Sequence, residues 1–378
     1  MHSPNHRRWS RPTISAITLA LILSGSVVAN ATADKPWRTS TVAGNGSTQS
    51  RPKAKRALEI TIAQPFGVEI SANQDCYVTE VGNHRIWKIE LQTGTATIVA
   101  GTGSKGYSGD GGQAIDAELN EPYELRIAKN GDLYFVEMQN HLIRKIDGKT
   151  KIISTVAGTG QAGFGGDDGP ALKAMLNRPH SLVLDEKRFC IYVADIGNHR
   201  IRQIDLKTGI ISTLAGNEKK RLPVDGQLAT GNPILGPRAL ALKHDTLWVA
   251  LREGHSLWSL DLETMRLSHA AGVGKPGFEL DSVPAKEAHF NGPKGIALTP
   301  TGNVAIVDTE NQAIRLYDPK TQIVSTIGGT GPAGKGFRDA LADETMSLWA
   351  RPHGIAADSD GNLYVGDTLN HRVRRLQQ

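Results

Sequence analysis

Six prolines, Pro65, Pro122, Pro179, Pro237, Pro293 and Pro352, each open a short apolar run, and the residue that follows differs every time. Those six residues are Phe66, Tyr123, His180, Arg238, Lys294 and His353. Four of them can carry positive charge. Brought to one place, such side chains would make an anion-binding mouth.

The prolines are spaced at intervals of 57, 57, 58, 56 and 59 residues, so the segments are copies of one unit. After each proline start come three further β-runs, at 77–101, 133–158, 191–216, 247–272, 304–329 and, shortened, 363–376. A four-stranded unit at that period is the signature of a propeller blade, which buries its faces only by stacking on its neighbours. The last copy lacks its fourth strand, and residues 39–44 match that strand ahead of the first proline. The fold expected is therefore an all-β, six-bladed β-propeller of four-stranded antiparallel blades, closed by an N-terminal strand that completes blade 6. The blades start near 65, 122, 179, 237, 293 and 352, within a single domain at 32–378.

Strand direction alternates within a blade, so the turns after the first and third strands share one face. Both are tight hairpin signals, such as Asn130-Gly131 and Thr208-Gly209. The opposite face receives the long connections and the proline starts, which places the ligand mouth there, bordered by Tyr123, His180, Arg238, Lys294 and His353. In the connections between blades an Asp precedes a short Ala/Leu segment at Asp110, Asp167, Asp225, Asp281 and Asp339, which reads as the cap of one helical turn. A calcium loop at Asp167-Asp168 is the weaker reading, because the alternating oxygen ligands of an EF-hand loop are missing.

Asn83-His84-Arg85-Ile86, Asn140-His141-Leu142-Ile143, Asn198-His199-Arg200-Ile201 and Asn370-His371-Arg372-Val373 each follow a strand of similar type, and they resemble the NHL repeat from about Trp37 to the end. Blade 4 departs with Gly254-His255, and blade 5 with Asn311-Gln312. A pair repeated in nearly every blade reads as structure: Asn bonding its own loop, His bridging to a neighbouring strand, and an acid four residues before each His at Glu80, Glu137, Asp195 and Asp367. The peptide-amidating lyases are similar six-bladed propellers, and their zinc histidines stand in segments like Pro352-His353-Gly354. That resemblance implies His180 and His353 as metal ligands, with zinc or calcium as possible cofactors. Only two histidines match, from opposite blades, and a tetrahedral zinc site needs more.

Residues 1–31 carry Arg7, Arg8 and Arg11, then an apolar run and small residues at Ala29, Ala31 and Ala33, which reads as a secretory signal cleaved after Ala31 or Ala33. Its removal lowers the net charge from +5 to +2, which weakens a nucleic-acid reading, and no aromatic-basic stripe restores it. The basic run at 51–56 reads as a solvated connection. Cys76 and Cys190 fall in blades 1 and 3, too far apart for a disulfide, and are expected as buried thiols. Gly158-Thr159-Gly160 and Gly329-Thr330-Gly331 imitate nucleotide loops but are repeat turns without the surrounding βαβ unit. The reading reached is a secreted or periplasmic binding module, monomeric and without stable membrane insertion. Its expected ligand is a protein, a peptide or an anionic carbohydrate, and the alternative is a metal-dependent lyase or lactonase.

Overall fold

The structure is a computed structural model that describes residues 1–2, 36–49, 55–280, 282–340 and 346–378. The chain divides into two units, Met1–Lys35 and Pro36–Gln378. The signal reading (apart from Met1 and His2), residues 51–54 of the basic run and Asp281 lie outside the described residues.

The second unit is the expected six-bladed propeller of antiparallel sheets. Blade 3 shows the plan: Ser181–Asp185, Cys190–Asp195, Arg200–Asp205 and Ile210–Gly216 pair in sequence order, each antiparallel to the last. Blades 3 and 5 each gain a two-residue fifth strand, Gly169–Pro170 and Val283–Pro284. Closure is as read from the repeat: Arg38–Ala43 pairs with Arg372–Gln377 as the outer strand of blade 6. Blade interiors alternate apolar residues on both faces, so the core lies between blades. Leu240, Leu247 and Val249 of blade 4, for example, pack on Val183, Cys190 and Tyr192 of blade 3. Fully burying one such side chain stabilises by about 1.5–3 kcal/mol. Both cysteines are buried and free.

The Asn-His loops are latches between blades. Each His sits in the left-handed region, with φ of 51° at His84, 56° at His141, 51° at His199, 44° at His255 and 53° at His371. That turn aims Nδ1 at the next blade, where it accepts a backbone N–H: Glu121 N donates to His84, Arg178 N to His141, Gly236 N to His199, Gly292 N to His255 and Gln64 N to His371. Gln312 replaces His in blade 5, with φ of 52°, and its Oε1 accepts from Arg351 N in the same way. The paired Asn reaches past its own loop, which corrects the expected local bond: Asn198 Nδ2 donates to Gly163 O in the connection between blades, 35 residues earlier, and to its acid at Asp195 Oδ2, both at 2.7 Å.

The expected Asp caps are corrected. One-turn helices do occur at Ala114–Asp116, Ala171–Lys173 and Ala285–Glu287, but Gln113, Pro170 and Pro284 stand at their starts, with no side-chain cap. The aspartates turn instead to a buried arginine of the third strand. Asp110 meets Arg144 and Asp167 meets Arg202, both at 2.6 Å, and Asp339 meets Arg374 at 2.9 Å. A guanidinium with no exposed surface requires a counter-charge, and that demand outranks a short helix's unpaired N–H groups. Asp225, whose blade has Trp258 at the position of Arg144, Arg202 and Arg374, accepts His269 N at 2.9 Å. Asp167 is therefore committed to Arg202 and Thr213, which removes it from a calcium loop.

Candidate anion site on the propeller axis

The inner strands approach one another so closely that three of the six second positions after the prolines leave no room for a side chain. A Cβ at Gly67 would lie 2.3 Å from Tyr123 O, one at Gly295 2.2 Å from His353 O, and one at Gly354 2.1 Å from Phe66 O. This approach gathers the preceding residues into one cluster. All five expected mouth residues are brought together there, but they fill the axis instead of rimming an open mouth: Tyr123, His180, Arg238, Lys294 and His353 are between 2% and 9% exposed. Phe66 stacks on His353 at 3.9 Å and tilts against Tyr123 at 4.4 Å, and Tyr123 meets His180 edge-on at 4.9 Å. Arg238 lies over Tyr123 with its guanidinium 5.5 Å from the ring centroid.

The charges are unevenly compensated. Lys294 Nζ donates to Glu310 Oε1 at 2.6 Å, and Arg351 donates to the same carboxylate at 3.0 Å. Burial outweighs these bonds for Lys294 and pulls its ammonium down to about 8, with Arg351 and Arg238 pushing the same way. Glu310 is held at about 2: burial opposes ionisation, but Arg351 and Lys294 overcome it. Arg238 pairs with Glu124, whose Oε1 lies 3.5 Å from Nη1, and Glu253 also acts on its charge; that Nη1 is enclosed without a hydrogen bond among the described residues. Burial and the nearby arginine and lysine charges push His180 and His353 well below the usual imidazole range, so both rings are neutral. Each Nδ1 lies on a carbonyl oxygen, Arg178 O at 2.6 Å and Arg351 O at 2.9 Å. A nitrogen facing a carbonyl oxygen carries the proton, which leaves Nε2 as a bare acceptor in both rings.

Glu124, Glu310 and Arg351 were not singled out from sequence. Glu124 had a signal: the aligned positions hold Gly67, Ser181, Ala239, Gly295 and Gly354, all small. Glu124 accepts Ser181 Oγ at 2.8 Å and lies 3.5 Å from Arg126, which in turn lies 3.7 Å from Glu69. Charges thus alternate down the axis from Arg238 to Glu69, whose carboxyl burial raises to about 7 despite Arg126. Glu69 and Arg126 open into a funnel of about 610 Å³ on the hairpin-turn face, walled by Ile127, Val183, Leu242 and Ile296. This funnel is on the face opposite the one chosen from sequence.

The donor set does not suit a divalent metal. Two neutral imidazoles in opposite blades share the cluster with Arg238 and Lys294, whose charges would repel the ion. Among the described residues no three His, Cys, Asp or Glu side chains are grouped to hold one.

The NHL-repeat family model matches residues 290–317 and 350–376. The chain is 27% identical over 333 residues to NHL repeat-containing protein 2 of Gallus gallus, covering 79% of this chain and 44% of that protein. This chain is an NHL-repeat propeller. It is also 31% identical over 289 residues to Protein SUPPRESSOR OF QUENCHING 1, chloroplastic, of Arabidopsis thaliana, covering 72% of this chain and 26% of that one. The NHL chain therefore spans less than half the length of these relatives. An auxiliary nutrient binding protein from Bacteroides thetaiotaomicron VPI-5482 shares its fold with a TM-score of 0.66 and 14% identity, over 91% of this chain and 76% of that one. Virginiamycin B lyase from Staphylococcus aureus does so with 0.52 and 14%, over 90% and 99%. Similar propellers thus include both a binder and an enzyme.

Proposed function

We propose that this propeller is a binding module that takes a small anionic group at the axial cluster, and that it works outside the cytoplasm. The observation that carries the reading is Arg238, a buried guanidinium whose enclosed Nη1 lacks a hydrogen bond among the described residues and whose ion-pair partner Glu124 stands at 3.5 Å. Leaving such a donor unmade costs about 1–3 kcal/mol, more for a charged group, and an incoming oxyanion recovers that cost. The positive segment and apolar run at the N-terminus support the extracytoplasmic setting. The nutrient-binding neighbour shows that the frame can serve a binder, whereas the metal-dependent alternative meets the cationic donor set described above.

Calorimetric titration of the purified chain with acetate, inorganic phosphate and glucuronate tests the proposal. At least one should bind, and Arg238→Gln should weaken it by tenfold or more. No binding of any anion, or binding indifferent to both Arg238→Gln and Lys294→Met, would sink it. Analysis of the mature N-terminus tests the setting, since an unprocessed Met1 in the cell-free medium or periplasm would contradict cleavage after Ala31 or Ala33.

A further inference from the structure

Resting on that reading, we infer that the ligand is a hydroxylated carboxylate of the sugar-acid class, its carboxylate on Arg238 and its hydroxyls donating to Nε2 of His180 and His353. The cluster offers two kinds of polar atom, and they ask for different chemistry. Arg238 supplies an unused donor, and Lys294 a second cation already holding the Glu310 carboxylate at 2.6 Å, which shows the cluster tolerates a carboxyl group at its edge. The imidazoles supply acceptors only. Their Nδ1 protons are committed to Arg178 O and Arg351 O, and the His353 Nδ1 contact is shared with Thr368 Oγ1 at 2.9 Å. Thr368 Oγ1 donates onward to Pro65 O at 2.7 Å, so it can only accept from His353, and the tautomer is fixed twice over.

A bare nitrogen lone pair repels an oxyanion and rewards an O–H. A simple carboxylate can satisfy Arg238 but has no O–H for Nε2, and hydrogen phosphate satisfies Arg238 with a single P–O–H for the two imidazoles. A neutral sugar satisfies the imidazoles and gives Arg238 only an uncharged hydroxyl oxygen, a weaker acceptor than a carboxylate. A polyhydroxylated carboxylate does both. The Phe66 and Tyr123 rings, 4.4 Å apart and tilted at 50°, add an apolar wall for the C–H groups of a sugar.

The test compares D-glucuronate, D-gluconate, acetate, D-glucose and inorganic phosphate by calorimetry on the wild-type chain. Two added hydrogen bonds, each worth about 0.5–1.5 kcal/mol net, predict glucuronate or gluconate about tenfold or more tighter than acetate, with glucose weaker than either acid. Acetate or phosphate binding as tightly as both sugar acids would overturn this inference while leaving the anion site standing. No anion binding at all would overturn the site itself. His180→Phe and His353→Phe keep the ring shape without the acceptor, and each should narrow the glucuronate-to-acetate ratio severalfold. An unchanged ratio in both folded variants would also overturn it. If either variant fails to fold, the wild-type ranking alone still decides.

Discussion

Replacing Glu124 by glutamine should lower stability and raise affinity together. In the folded chain its carboxylate stands 3.5 Å from Arg238 Nη1 and 3.5 Å from Arg126 Nη2, and accepts Ser181 Oγ at 2.8 Å. At an effective dielectric constant of about 20, one ion pair at that separation is worth roughly 4–5 kcal/mol before desolvation. Removing one partner of a buried pair typically costs about 3–5 kcal/mol, because the other charge is left uncompensated. Arg126 keeps Glu69 at 3.7 Å and two carbonyl bonds, to Leu125 O and Leu240 O, so Arg238 bears most of the loss. Glutamine retains the shape and an acceptor for Ser181, which places the expected destabilisation near the lower bound, about 3 kcal/mol. Urea unfolding of Glu124→Gln against the wild type reads that term. The same change removes the acid competing for Arg238, so the anion should bind about tenfold more tightly. Opposite signs are the signature. If stability and affinity fell together, or stability moved by less than about 1 kcal/mol, Glu124 would not be the counter-ion that restrains Arg238.

Three further outcomes follow from named contacts. His199→Gln should unfold at nearly the wild-type urea concentration, because Gln312 performs the same latch in blade 5. His199→Leu should lose about 1–2 kcal/mol with the acceptor for Gly236 N, and equal losses in both variants would refute the latch. Anion affinity should weaken as pH rises through about 8, where Lys294 gives up the charge that is fully present at lower pH. The groups around it are Glu310, Arg351, Arg238 and His353; of these the arginines keep their charge, Glu310 is already ionised, and His353 is already neutral. Lys294→Met should flatten that calorimetric pH profile, and a slope surviving the change would exclude Lys294 as its source. Burial pushes both thiols up, Cys190 to about 11 and Cys76 higher still, so neither should react with a thiol reagent at pH 8 until urea unfolds the chain. Labelling of Cys190 in the native state would show that its strand opens locally.

The fold was legible because its information is periodic. Six proline starts at near-equal spacing, tight turns and one displaced strand leave a single closed arrangement, and Asn198 and His199 were readable as structure because every blade needs a latch. The Asp110 and Asp167 assignments failed for a long-range reason. Their partners Arg144 and Arg202 are 34 and 35 residues away, and nothing local says that a third-strand arginine is buried without surface. The ring residues Tyr123, His180, Arg238, Lys294 and His353 were found by asking what the repeat does not conserve within itself, but their burial was not foreseen. It depends on how closely Gly67, Gly295 and Gly354 let the inner strands approach, which is a property of all six blades at once. Glu310 and Arg351, from loops of neighbouring blades, meet only after that closure.

The measurement that bears most directly on the anion site is a crystal structure of the wild-type chain soaked in sodium glucuronate. The account predicts density at the axis with a carboxylate oxygen within hydrogen-bonding distance of Arg238 Nη1 and a hydroxyl on Nε2 of His180 or His353. Ligand found only in the funnel beside Glu69 and Arg126, or an axial cluster unchanged under saturating glucuronate, would contradict it.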